Sequence, residues 1–417
     1  MKRAVCLYLH VHQPYRVRNY TVFDAGRDHN YFLGGEWGSD LNNQWIIHKI
    51  AEKSYVPTNY RLLKLLEQHP EFRLSISITG TLLEQLEMWA PQVLTSFQQL
   101  IATGRVEVLA ETYYHSLAFF FSRFEFEKQV RMHREKIKQL FNVTPRIFRN
   151  TELAYNNDLA LWAEKAGYKG ILAEGWDKIL RHRTANHMYQ PVGTDTIRLL
   201  LKNYKLSDDI AFRFSDKTWA EWPLTAEKFT HWLNALPEDQ QLVNLFMDYE
   251  TFGEHQWDES GIFTFLSKLP GEFMKLSGNT FMTPSEAIEA FEPQDFIDMP
   301  ETVTWADTER DLSAWLGNAM QQDALDNIYA IEDAVMRTGD TTLIGDWRRL
   351  QTSDHFYYMC TKWFNDGDVH AYFNPYPSPY DAFISYMNAM RDIKLRVLQS
   401  FEQPAKQEHN EAMGEAD

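Results

Sequence analysis

Ala4-Val5-Cys6-Leu7-Tyr8-Leu9, followed at once by His10-Val11-His12-Gln13, is the stretch that decides the fold. Six apolar residues in a row are too few for a core helix and too uniformly apolar for a strand with one wet face. They predict a strand buried on both sides. Such strands belong to parallel sheets whose faces are covered by crossover helices. The residues after the strand are equally informative. A nucleotide-binding sheet places a glycine-rich turn there, whereas this chain places two histidines and a glutamine.

Working outward, the alternation repeats. Runs at Arg73–Ile78, Val106–Leu109, Pro145–Phe148, Gly170–Ala173, Thr196–Leu201 and Gln241–Met247 predict further strands. Helical patterns lie between them at Tyr60–Gln68, from a Thr81 cap to Gly104, at Phe124–Phe141 and at Asn157–Gly167. Seven such units within about 250 residues predict an α/β fold closed into a distorted, TIM-like (β/α)7 barrel, with an open doubly wound sheet as the alternative. Beyond Thr304 the pattern turns helical, at Asn318–Arg337, Thr341–Phe364 and Ala382–Gln399. The expected organisation is a catalytic barrel over 1–303, a helical domain over 304–402 that contributes to the active site, and a disordered acidic tail over 403–417.

Composition narrows the function. The 41 Lys+Arg against 58 Asp+Glu give a net charge of −17, which repels nucleic-acid phosphates and anionic membrane surfaces. No apolar run approaches the roughly 20 residues of a membrane span. Lys2-Arg3 and the apolar run imitate a signal peptide, but the run stops at His10 with no small-residue cleavage site after it, so a cytoplasmic protein is expected. Two cysteines, Cys6 and Cys360, make no disulfide framework. The sequence carries no signal for an oligomeric state. The unusual quantity is the aromatic load of 13 Trp, 20 Tyr and 27 Phe.

In a β/α barrel the chemistry sits at the C-terminal ends of the strands. Those positions hold His10, His12 and Gln13 after the first strand, and Glu111, Tyr114 and His115 after the third. Asn150 and Glu152 follow the fourth, Glu174 and Trp176 the fifth, and Asp248, Glu250, Glu254, His255 and Trp257 the seventh. Two chemistries fit a rim so rich in carboxyls and imidazoles. Glycoside hydrolysis needs two carboxyl groups flanking the scissile bond. Metal-assisted hydrolysis, as in a deacetylase or amidohydrolase, would use His10 and His12, which period-two spacing turns to one face. The aromatics favour the sugar: Trp and Tyr faces pack on its C–H surface, and Asp, Glu, Asn and His bind its hydroxyls. Trp219, in a Trp-rich connection after the sixth strand, is a further candidate contact.

At this point five separated segments carry a resemblance. His12-Gln13-Pro14, Gly104–His115, Asn150-Thr151-Glu152-Leu153-Ala154, Met247–His255 and Leu350–Met359 occur in the order of the motifs of glycoside hydrolase family 57, and resemble most its α-amylase group. The resemblance implies a seven-stranded β/α barrel, retaining cleavage of α-1,4-glucosidic bonds in an α-glucan such as starch, glycogen or maltodextrin, and no required metal or cofactor. It places Glu152 as nucleophile and Asp248 as acid/base. The fifth segment brings Asp354 and His355 into substrate contact. The family also contains 4-α-glucanotransferases and branching enzymes, which are the alternative activities on the same scaffold.

Plainer readings compete at several positions. Glu152 alone reads as a helix-cap partner, and Asp248 as a surface acid after a strand. The apolar Leu245-Phe246-Met247 before Asp248 is expected to raise its carboxyl pKa, as a general acid requires. Of Glu250, Glu254 and His255, which share one short loop, one is expected to face the substrate. Trp305, Trp315, Trp347 and Trp363 read as packing rather than as a glucan platform.

Overall fold

The computed structural model describes residues 2–362 and 369–414, with side chains through residue 402. Contacts divide it into two units, neither of which is one continuous stretch. The first comprises residues 1–13, 47–113 and 127–311; the second comprises 14–46, 114–126 and 312–417.

The first unit is the barrel. Its strands are β1 (Arg3–Val11), β2 (Leu74–Ile78), β3 (Val106–Val108), β4 (Ile147–Phe148), β5 (Gly170–Glu174), β6 (Met188–Pro191), β7 (Arg198–Lys202), β8 (Leu242–Asp248), β9 (Asn279–Phe281) and β10 (Asp295–Ile297). All nine residues of β1 are buried, as expected of a strand walled in on both faces. Parallel ladders run β3-β2-β1-β8 and β4-β5-β7. Two seams join them. Ala110 N–H donates to Ile147 O at 2.9 Å and Arg149 N–H to Ala110 O at 2.8 Å. Across the other, Asn203 N–H donates to Asn244 O at 2.9 Å, and Asn244 Nδ2 to Leu201 O at 2.9 Å. The result is a (β/α)7 barrel of β1, β2, β3, β4, β5, β7 and β8. Inside, Tyr8, Leu109, Leu153, Leu172, Leu200 and Phe246 belong to one buried cluster.

The seven expected strands are these seven, and β6, β9 and β10 are short additions. Residues β6 and β10 extend the β7 edge, β6 running antiparallel to β7, and β9 pairs with the start of β1. The helix expected from Thr81 to Gly104 is two helices, Gly80–Trp89 and Pro91–Ala102, because Pro91 cannot continue the first and is preorganised to open the second. Its cap is Thr79, whose hydroxyl accepts from Leu82 N–H, and not Thr81.

The second unit is helical, with Ala319–Ala330, Glu332–Thr338, Thr341–Arg349, Ser353–Tyr357 and Pro379–Gly414 as its principal segments. Two buried acids tie it together. Arg348 donates to both oxygens of Glu125, at 2.8 and 3.0 Å, in the fork geometry that suits guanidinium and carboxylate. Asp392 accepts from Gly26 N–H at 2.5 Å, from His29 Nδ1 at 2.7 Å and from the Tyr31 hydroxyl. These bonds hold segments 14–46 and 114–126 to the C-terminal helices. The last helix runs over Pro379–Gly414. Residues 415–417 and Trp363 lie outside the described residues. No helix among the described residues is long and apolar enough to cross a membrane.

Candidate active site

The ends of the barrel strands gather the chemistry. Register sets the first pair: β1 against β8 aligns His10 with Asp248. His10 Nδ1 stands 3.6 Å from Asp248 Oδ1, and its Nε2 stands 3.1 Å from Glu111 Oε2. Both His10 and Glu111 are buried, while the Asp248 side chain is 38% exposed. One imidazole thus sits between a buried carboxylate and an open one. Glu111 also lies 3.9 Å from Nη1 of the fully buried Arg149, the residue after β4.

Glu152 is placed by strain and by a clasp. Asn150 Nδ2 donates to Ala154 O at 2.9 Å, and Thr112 and Thr151 share a hydroxyl bond at 2.8 Å, closing a tight loop after β4. Within it, Glu152 and Leu153 have φ of 58° and 51°, a left-handed conformation that disfavours any residue with a Cβ. Each such residue stores on the order of 1–3 kcal/mol and persists only where its surroundings hold it. The holder is Trp305. Its Nε1–H donates to Glu152 Oε2 at 2.8 Å and its backbone N–H to Glu152 O at 3.3 Å. The next helix is capped by Asn156, so Glu152 is not its cap partner. The indole in turn faces His10 edge-on at 6.4 Å and meets Arg149 at 4.9 Å and Lys202 at 5.4 Å. Asp248, His10, Trp305 and Glu152 therefore form one connected row.

Electrostatics corrects one expectation. Burial does push the Asp248 carboxyl up, but the hydrogen bond and charge of His10, with His255 and Arg149, outweigh it and hold Asp248 below the usual carboxylate range. Two other strand-end carboxyls are raised instead. Glu250 reaches about 8, through burial and then the charge of Asp248, against the Tyr55 and Gln13 hydrogen bonds. Glu174, at the end of β5, reaches about 7 through burial, against the attraction of Lys202 and Arg310.

The remaining candidates in this unit are spread more widely. His12 Nδ1 lies 2.8 Å from the Thr79 hydroxyl, and its ring stacks on His10 at 5.7 Å. Gln13 is buried, its carbonyl accepting from Gln85 Nε2 at 2.9 Å. His255 faces Asp248 and Glu254, and burial pushes its imidazole down. Glu254 turns to Lys49 at 3.1 Å and Lys53 at 3.5 Å. Trp176 is half-buried, with the Lys178 ammonium over its ring. Trp219 packs edge-on against Trp232 at 6.1 Å, and Trp257 is exposed.

Tyr114, His115, Asp354 and His355 belong to the second unit. There the His115 carbonyl, at a left-handed residue, accepts from Ser353 N–H at 2.8 Å, which fixes the start of the helix carrying Asp354. Tyr114 is buried and Asp354 half-buried. His355 is buried, with Nε2 3.2 Å from Arg349 O. Trp315 and Trp347 are buried in this unit as packing, and Trp305, in the first unit, packs against the barrel core cluster while also bonding to Glu152.

Residues 6–300 match the sequence profile of glycosyl hydrolase family 57. Over 395 residues the chain is 40% identical to the "Putative alpha-amylase" of Methanocaldococcus jannaschii, an alignment covering 92% of this chain and 82% of that one. The chain belongs to glycosyl hydrolase family 57. It is a glycoside hydrolase. This family 57 chain is also 22% identical over 283 residues to the alpha-amylase of Pyrococcus abyssi, covering 65% of itself and 39% of that longer protein. Among solved structures it shares its fold with the branching enzyme of Pyrococcus horikoshii, at a TM-score of 0.68 and 17% identity over 96% of this chain and 88% of that one. The alpha-amylase of Thermotoga maritima is similar, at a TM-score of 0.60 and 14% identity, covering 97% and 94%.

Proposed function

We propose that this family 57 enzyme hydrolyses α-1,4-glucosidic bonds in α-glucans with retention, Glu152 acting as nucleophile and Asp248 as acid/base. The observation that carries the reading is the row Asp248–His10–Trp305–Glu152, which sets two carboxyls at the same end of the barrel with a donor on each. The relatives named alpha-amylases support the substrate class.

In the first step Glu152 attacks the anomeric carbon while the glycosidic oxygen takes a proton from Asp248. Asp248 rests ionised, so the proton must reach it. His10, with Nδ1 3.6 Å from Asp248 and Nε2 3.1 Å from Glu111, is the group placed to pass it on. In the second step Asp248 deprotonates water, which attacks the same carbon and releases Glu152, and the proton returns to His10. A sugar hydroxyl in place of water gives glucan transfer by the same steps. The remaining rim residues of the barrel, His12, Gln13, His255, Trp176, Trp219 and Trp257, are assigned to substrate hydroxyls and ring faces, and the motif resemblance extends that assignment to Tyr114, His115, Asp354 and His355. Glu254 joins them through its loop. Two buried free cysteines suit a cytoplasmic setting.

Glu152→Gln and Asp248→Asn are each expected to abolish turnover with the fold kept. Unimpaired starch hydrolysis by either variant would overturn the assignment. Retention predicts carboxyls about 5–5.5 Å apart in a substrate complex, against about 6.5–9.5 Å for inversion. Incubation with maltoheptaose separates the outcomes of the second step: shorter products alone mean hydrolysis, and longer ones mean transfer.

A further inference from the structure

We propose that Trp305 is the positioning residue of the nucleophile, holding Glu152 ionised and aimed through its indole N–H, with Arg149 and Lys202 holding the indole. The proposal rests on Glu152 being the nucleophile.

Three observations converge on it. The clasp is double, side chain to side chain and backbone to backbone, between residues 153 positions apart. It acts on a residue whose left-handed backbone needs an external restraint. The ring is held by cations that are themselves buried, Arg149 from β4 and Lys202 from β7, and cation–π contacts strengthen when desolvated. A cation over the ring also draws density from the indole and makes its N–H a better donor.

The choice of donor has a chemical meaning. An indole N–H donates and never accepts, and it does not titrate in the working range. It therefore favours the ionised carboxylate over both the protonated acid and the glycosyl ester. When Glu152 attacks, one carboxylate oxygen bonds to the anomeric carbon and the other becomes the ester carbonyl. When water attacks, the C–O bond breaks, its electron pair returns to Glu152, and the N–H stabilises the charge that reappears. The charged groups around this pair include Arg149, Lys202 with its partners Asp208 and Glu174 and the nearby Arg310, and His10 with Asp248 and Glu111.

The test is Trp305→Phe in the full chain, which keeps an aromatic ring for the cations and removes the N–H along with the five-membered half of the indole. A fluorogenic maltooligosaccharide is followed from pH 4 to 9, with the unfolding temperature recorded. We expect the acid limb of kcat/KM to move up by about one pH unit, the size of one lost charge-assisted bond. We also expect kcat to fall by about tenfold with KM little changed. An acid limb that stays in place overturns the proposal, whatever happens to stability. Arg149→Met leaves the indole in place and gives a second reading, with a limb shift in the same direction expected and no shift counting against the cations. If Glu152→Gln is active, the functional reading itself has failed. If that variant is inactive while the Trp305→Phe limb is unmoved, only the role of Trp305 has failed.

Discussion

Replacing Glu111 by glutamine isolates the charge at the base of the site. The side chain keeps its length and one acceptor oxygen, so His10 at 3.1 Å retains a neutral bond. Arg149 loses more. It is fully buried, none of its side-chain nitrogens has a hydrogen-bond partner among the described residues, and Glu111 at 3.9 Å is its carboxylate counter-charge. Its contact with the Trp305 ring exists in both proteins and cancels. Removing one partner of a buried ion pair costs about 3–5 kcal/mol, because the other charge is left uncompensated. The retained amide bond puts the expectation near the lower end, about 3 kcal/mol. Urea unfolding followed by tryptophan fluorescence and circular dichroism measures it. The double variant with Arg149→Met supplies the decisive comparison. If the orphaned guanidinium causes the loss, removing it as well recovers most of the stability, a coupling of about 2 kcal/mol or more. A loss below about 1 kcal/mol for Glu111→Gln, or strictly additive losses in the double variant, would refute the reasoning.

Other consequences are open to simple measurement. Burial and the charge of Asp248 push the Glu250 carboxyl up to about 8 in the folded chain, well above the usual carboxylate range. The folded state thus binds this proton more tightly, so its contribution to stability is full below about pH 4.5 and is lost as pH rises to about 8. Unfolding temperatures from pH 5 to 9 should fall less steeply for Glu250→Gln than for the parent, and parallel curves would contradict this. Gly253 has φ of 105°, and a Cβ there would collide with the carbonyl oxygen of Lys53. Gly253→Ala should therefore destabilise by about 2 kcal/mol or more, and a neutral effect in thermal unfolding would show that the loop after β8 yields. Extensive chelation should leave starch hydrolysis unchanged, since the mechanism runs on carboxyls and imidazole alone; loss of activity restored by a divalent cation would favour the metal reading of His10 and His12.

The sequence exposes the barrel well because each of its seven strands is a run of buried residues between turns, and periodicity reports burial. It singles out Glu152 and Asp248, the proposed pair, through their motifs and through the rule that strand ends carry the chemistry. The same rule points to Arg149 and Lys202, yet attention to acids and histidines passes over cations at those positions. Trp305 is invisible for a different reason. It meets Glu152 only because the chain forms an antiparallel bridge between Tyr155 and Val303, and no local pattern encodes a partner so far away. The direction of the Asp248 shift is hidden likewise: apolar neighbours in sequence suggest a raised carboxyl, while the imidazole that lowers it arrives from another strand. Helix breaks such as that before Pro91 are legible when the proline is given its due.

The interleaving of the two units limits how the molecule can be cut. Stopping the chain after residue 303 looks like removing a C-terminal domain, but it takes away Arg348 and Asp392 and keeps Glu125, His29 and Tyr31. A buried carboxylate would lose its guanidinium, and the loop from Gly26 to Tyr31 would lose its acceptor. The helical unit is therefore not a module to be trimmed, swapped or grafted as one piece. A chimera with a relative must exchange residues 14–46 and 114–126 together with everything after 311, three segments at once.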